Sequence, residues 1–431
     1  MKKTTLISRT SRTSRTSRTA LSAGVIGVIA CGLPVSPLLA QSTDVLYWTA
    51  GSKQWIAGGN PASYWSASDG GPMDQRWTNG YSAVINVDDA QIDLAPNSQL
   101  VSVNTLAIQG TATLVNAASN TTATRILEIT GGGSGTLILA TTSTSNATNG
   151  SFLRLAGTSA WAGTIATSAA AGVADRNRVQ IQAVSAVSTA TRLRIDGARM
   201  ELGATAEFSN TYIVGELQGS GGALRFGTSI NQTTTLVVDQ ATNTAWAGVF
   251  EKTGAGSAVL IKRGAGTLTL TGGDSGADGF VYSVNAGKLV VDGSLAGSVV
   301  VASGGTLGGA GSVESVTLNE GAVLAYSLDD GARNLSIASL VKGSGGNYIF
   351  DFGGTGSAGE SFILSSVVGV GFDTGDFSAV NLAEGLSGVF TLSGTELKFV
   401  TTVVPELSTW SLLTGCVSIV VARGMRQRRC R

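Results

Sequence analysis

The chain has no histidine, and its three cysteines, Cys31, Cys416 and Cys430, all fall near the ends of its 431 residues. Those absences exclude whole reaction classes. A Ser/His/Asp or Cys/His nucleophile system cannot be assembled, nor a zinc site built on imidazole or thiolate, nor a disulfide within the body. Any catalysis would have to rest on carboxylates, Lys, Arg, Tyr or Ser. Charge is scarce too: Asp, Glu, Lys and Arg make up 13% of the residues, about half the usual share. Of the 28 Lys and Arg, 11 sit in the first twenty and last nine residues, leaving 17 in the body against 27 of the 28 Asp and Glu. An acidic body of that kind repels nucleic acid, so no nucleic-acid partner is expected.

Glycine is abundant, with 59 residues against 6 prolines. Glycine weakens the interior of helices and strands, so this many must mark turns that recur often. Between them the sequence alternates polar and apolar residues, as in Leu100-Val101-Ser102-Val103-Asn104-Thr105-Leu106-Ala107-Ile108. Helical spacing is hard to find, so the expected class is all-β with short strands and tight corners.

The two ends read as addresses. Residues 1–40 open with four Ser-Arg-Thr repeats and continue as an apolar stretch from Ala20 to Leu39, the pattern of a signal peptide cleaved between Ala40 and Gln41. Val28-Ile29-Ala30-Cys31 offers a second reading, a lipoprotein box with Cys31 lipidated, and an uncleaved anchor is a third. At the other end, Val404-Pro405-Glu406-Leu407-Ser408-Thr409-Trp410 leads into an apolar run from Ser411 to Ala422, followed by Arg423, Arg426, Arg428, Arg429 and Arg431. The run falls short of the ~20 residues that span a bilayer comfortably. Its arginines favour the cytoplasmic side, which makes it a temporary handle in the inner membrane during export.

That tail, residues 403–431, resembles the PEP-CTERM sorting signal of Gram-negative bacteria, with Leu407 standing where the motif has its second proline. The resemblance implies processing by an exosortase-like membrane transpeptidase after delivery by the export machinery. An ordinary short C-terminal membrane helix is the alternative; either way the body lies outside the cytoplasm.

The body falls into four stretches. Residues 41–96 hold Trp48, Trp55, Trp65 and Trp77, read as an N-terminal cap or first coils, with a sugar-binding aromatic platform as the alternative. Residues 97–250 read as irregular coils. In residues 251–325 Lys252-Thr253-Gly254-Ala255-Gly256 recurs ten residues later as Lys262-Arg263-Gly264-Ala265-Gly266, and Gly266, Gly287, Gly305 and Gly321 follow at intervals of 21, 18 and 16. Periods near twenty with one glycine corner each fit the turns of a parallel β-helix. Residues 326–402 read as a C-terminal β region.

The stretch Lys262-Arg263-Gly264-Ala265-Gly266-Thr267-Leu268-Thr269-Leu270-Thr271-Gly272, with Val284-Asn285-Ala286-Gly287-Lys288-Leu289-Val290-Val291-Asp292-Gly293, resembles the autotransporter-associated β-strand repeat. The resemblance implies a secreted right-handed β-helix used for display and adhesion. The segment after residue 330 is too short for an outer-membrane barrel, so the sorting tail is the expected route to the surface.

Chemistry is hard to place. Gly272-Gly273-Asp274-Ser275-Gly276-Ala277-Asp278-Gly279 lacks the ligand pattern of either calcium loop. Asp88-Asp89 and Asp329-Asp330 are adjacent pairs, which on a strand point to opposite faces. Arg192, Arg194, Asp196 and Arg199 form the densest charged cluster. The expectation is a non-enzymatic surface or matrix protein without metal or cofactor, its partners being exopolysaccharide or other surface proteins. The competing reading is a carbohydrate-active β-helix enzyme such as a polysaccharide lyase, built on charged residues of neighbouring coils.

Overall fold

A computed structural model describes residues 45–49, 54–55, 64–94, 100–115, 125–141, 151–169, 178–203, 208–276, 279–329 and 333–404. The segment 1–40 with Cys31, the cleavage pair Ala40 and Gln41, Pro405 to Trp410, the apolar run and the arginine cluster lie outside the described residues. Within them the chain is all-β, with 3-10 turns at Val184–Ala186 and Thr374–Asp376 and no α-helix.

The strands wind into a β-solenoid. Each pairs in parallel with its counterpart one coil earlier and one coil later, and three stacks of strands form three faces. One coil shows the plan: Val249–Thr253 lies on the first face, Ser257–Arg263 on the second and Thr267–Leu270 on the third. The ten-residue recurrence is therefore two successive corners of a single coil. The longer period is the step between coils, since Thr267 pairs with Lys288 and Gly287 with Gly305.

Glycine is needed at these corners because the coils touch there. Gly254 has φ +86, and a Cβ at that position would overlap the carbonyl oxygen of Thr228 in the preceding coil.

Two features depart from the sequence pattern. Residues 97–250 begin with an even step, Val101, Leu127, Leu153 and Val179 being stacked at intervals of 26, before Met200 and Leu224 follow at 21 and 24. Their glycines fall at different points of the coil, which hides the period. The last of the glycine intervals is also longer by one: Thr306 pairs with Val323 and Leu307 with Leu324, placing Gly305 beside Ala322 rather than Gly321. A slip of one residue exchanges the two faces of a strand, and here it sends Leu324 rather than Val323 into the core.

Inward side chains form columns along the solenoid. One runs Val214, Val238, Lys262, Val284, Val301, Leu318 through successive registers. Lys262 is fully buried in it, and its ammonium donates to the carbonyls of Arg263 (2.7 Å), Gly264 (2.8 Å) and Ala286 (3.4 Å). Desolvation pulls its pKa down to about 8, opposed in part by Asp239.

Both ends of the described solenoid are closed by aromatic clusters. Trp48, Trp55, Trp65 and Trp77 are buried, with Trp55–Trp65 centroids 4.7 Å apart and Trp65–Trp77 4.9 Å. Trp65–Ser66 runs antiparallel to Val45–Trp48, which itself pairs parallel to Ser82–Ile85, so the first coil is covered by a strand of opposite direction. Rings buried in this way are not a platform open to sugars. At the far end Ser361–Ser365, Glu396–Val403 and Leu386–Ser393 form an antiparallel sheet with Glu396–Val403 in the middle. Phe350, Phe352, Phe377, Phe390 and Phe399 pack beneath it, the closest pair being Phe352 and Phe399 at 4.4 Å.

Candidate functional site

Among the described residues, a recurring set of polar side chains holds one coil on the next. At the corners, Asp or Asn side chains accept the backbone N–H of the coil that comes after: Asp88 from Thr111 (3.0 Å), Asp196 from Ser220 (3.0 Å), Asp292 from Ala310 (3.0 Å) and Asp329 from Thr355 (2.8 Å). The Thr355 N–H holds the Asp329 carboxyl below its ordinary pKa. Asp274 accepts from Gly276, Ala296 and Gly297 N–H groups and from the Tyr282 hydroxyl. Burial, and then the Asp274 charge, push the Tyr282 phenol far up. One acid of each adjacent pair, Asp88 and Asp329, and Asp274 of the glycine-rich loop thus act as corner braces.

A second ladder runs across the outside of the first face. Glu128, Arg154, Gln180, Glu201, Arg225 and Glu251 occupy one register position in six consecutive coils. Arg154 meets Glu128 at 3.2 Å, Gln180 donates to Glu201 at 3.1 Å, and Arg225 bridges Glu201 (3.6 Å) and Glu251 (2.8 Å). Arg178 adds a contact to Glu201 at 3.1 Å while lying over the Phe152 ring.

The cluster Arg192, Arg194, Asp196 and Arg199 does not form one site. Arg192 and Arg194 are exposed and pair with Glu216 (3.3 Å) and Asp196 (2.6 Å). The strand Thr191–Leu202 then shifts register between Asp196 and Arg199, and Arg199 is buried on the neighbouring face near Glu251 (3.5 Å). Of the sorting motif, Val404 alone is described: its N–H donates to Gly385 at 2.9 Å, and its side chain is exposed.

The third face carries a concavity that none of these motifs marked. It is a hollow of about 390 Å³ spanning the strands Gly287–Val291, Gly305–Gly308, Val323–Ser327 and Tyr348–Gly353. Val290, Ala325 and Asp351 line it from one register column, in which the buried Gly308 stands between Val290 and Ala325. The wall is the corner after Ser327, which brings Arg333 and Asn334 over the sheet where the corner after Gly308 has only three residues before Ser312. Asn334 is fixed by Ser327, accepting from its N–H (2.7 Å) and donating to its carbonyl (2.8 Å). Tyr326 lines both this hollow and a neighbouring one of about 270 Å³, its hydroxyl donating to Ile363 at 3.2 Å.

Lys288 and Arg333 face into the groove, and among the described residues neither has a carboxylate within 4.0 Å. Asp351 accepts from Asn381 at 2.7 Å. Lys288 and Asp351 lie three coils apart, roughly 14 Å at the usual strand spacing, wider than the carboxyl separation with which glycosidases flank a single bond. The arrangement suits contact with an extended ligand. The sequence signal for it was a break in the period: coils of 18 and 17 residues, at Leu289, Leu307 and Leu324, give way to one of 26 at Phe350. Comparison with family models, curated proteins and solved structures finds no match for this chain.

Proposed function

We propose that the protein is an exported surface scaffold, a right-handed solenoid delivered by the export machinery, processed through its C-terminal tail by an exosortase-like enzyme, and displayed toward exopolysaccharide or other surface proteins. Right-handed winding is the hand that nearly all parallel strand crossovers adopt. The observation that carries the reading is the commitment of polar groups to neighbouring coils: corner braces and the first-face ladder serve persistence of the fold rather than chemistry. Closed ends add to it, since a capped solenoid stays a unit instead of adding strands from other copies. The last described strand, Glu396–Val403, is followed by Val404 and then by Pro405 and Glu406, so in sequence the motif comes directly after the terminal sheet.

Fractionation of cells expressing the full chain with Pro405→Ala and Glu406→Ala tests the route. The expected outcome is retention of an unprocessed form in the inner membrane; unchanged processing and placement would remove the sorting-tail reading. Cleavage of an acidic polysaccharide by the purified chain would replace the scaffold with the carbohydrate-active reading.

A further inference from the structure

We propose that the groove on the third face binds a segment of an acidic glycan, a chain of linked sugars carrying carboxylates. Such a role rests on the display function and gives it a ligand class and a place on the molecule.

Three properties of the groove select that chemistry. First, its floor is closed to peptide strands: Gly287–Val291, Gly305–Gly308, Val323–Ser327 and Tyr348–Gly353 are each paired on both sides, so no row of free backbone groups is offered for strand addition. A ligand must be recognised by side chains. Second, the charges are unevenly satisfied. Asp292 already accepts from Ala310 and Asp351 from Asn381, whereas neither Lys288 nor Arg333 has a carboxylate of the described residues within 4.0 Å. The guanidinium groups of the first-face ladder, by contrast, each meet one. The groove therefore seeks anions at two points and donates or accepts hydrogen bonds elsewhere.

Third, the shape is elongated and the aromatic wall is fixed in advance. From Val290 to Asp351 the hollow crosses three coil steps, roughly 14 Å, the length of a short run of sugar rings, and Tyr326 and Asn334 also line the second hollow. The Tyr326 ring is held edge-on by Phe352 at 6.0 Å and Phe362 at 6.4 Å, and its hydroxyl is tied to Ile363. That ring packs toward the core side, so it fixes the edge of the hollow while the outward residues of the strand make the contact. The small side chain of Ala325 leaves depth for a sugar ring.

The test uses the full chain, purified in mild detergent, titrated calorimetrically with polygalacturonate oligosaccharides and with neutral β-glucan oligosaccharides of equal length. The expected result is saturable binding of the acidic series, with the neutral series much weaker. Lys288→Gln and Arg333→Gln should each weaken binding about tenfold, the size of one charge-assisted hydrogen bond. Arg76→Gln, an exposed arginine near the opposite end, should leave affinity unchanged. Absence of polygalacturonate binding, equal affinity for the neutral series, or full affinity in both groove variants would overturn the proposal. Arg333 lies exposed on a corner, so Arg333→Gln carries the test even if Lys288→Gln perturbs folding. Binding is read on purified protein, so its failure leaves the route to the surface standing, and failed sorting leaves binding standing.

Discussion

Lys262 places an ammonium where the column above and below it holds valine. Three carbonyls compensate it, yet its pKa still falls to about 8 from an ordinary 10.5. Below pH 8 both folded and unfolded chains carry the proton, and the cost of burying the charge is present in full. Between pH 8 and 10.5 the unfolded chain binds the proton and the folded one does not, so stability rises with pH. Tyr212 acts later and in the opposite sense: burial raises its pKa to about 12 from 10.0, so the stability it favours is complete below pH 10 and lost toward pH 12. Denaturant unfolding at pH 7 to 10 should therefore show the wild type gaining on Lys262→Met by up to roughly 3 kcal/mol. A pH-independent difference would mean that the ammonium is solvated. Nothing in the sequence distinguished Lys262 from Lys252, the other lysine of the ten-residue recurrence, because which of the two enters the core depends on strand phase. Lys252 is half-buried and donates to Gly256 at 2.9 Å.

At the scale of single elements, corners and caps have separate tests. Gly254→Ala combines a left-handed φ with overlap on Thr228, and should destabilise by more than about 1 kcal/mol in denaturant titrations. Trp65→Ala removes the ring that touches Trp48, Trp55 and Trp77, and should cost about 3–5 kcal/mol. An early unfolding phase reported by the remaining tryptophans would locate that loss in the N-terminal cap. Much of this was legible beforehand. Glycine corners, β-prone runs and periods near twenty pointed to coils, and the tryptophans pointed to a cap. The register at Val323 was not legible, since Gly321 looks equivalent to Gly305 until backbone pairing decides which apolar residue turns inward. The groove was hidden for a related reason. Lys288, Tyr326, Arg333 and Asp351 come from four segments spread over 64 residues of sequence, and stacking alone makes them neighbours.

On the scale of the whole molecule, the three faces have different uses. The first is knitted by charge, the second supplies the column that contains Lys262, and the third opens where the coils shorten and then lengthen again. Long insertions at a corner are tolerated because loop closure becomes only slowly more costly with length. The longer corner after Ser327 is what brings Arg333 and Asn334 to the edge of the hollow. The terminal sheet matters for a different reason. Its middle strand, Glu396–Val403, is bonded to Ser361–Ser365 on one side and Leu386–Ser393 on the other, and only Val404 separates it from Pro405. Traction applied at Val404 would reach the body through a strand with no loose edge to peel. Both neighbouring ladders and the phenylalanines beneath them would have to yield, which makes the last sheet a mechanical fuse set higher than a single hairpin would allow.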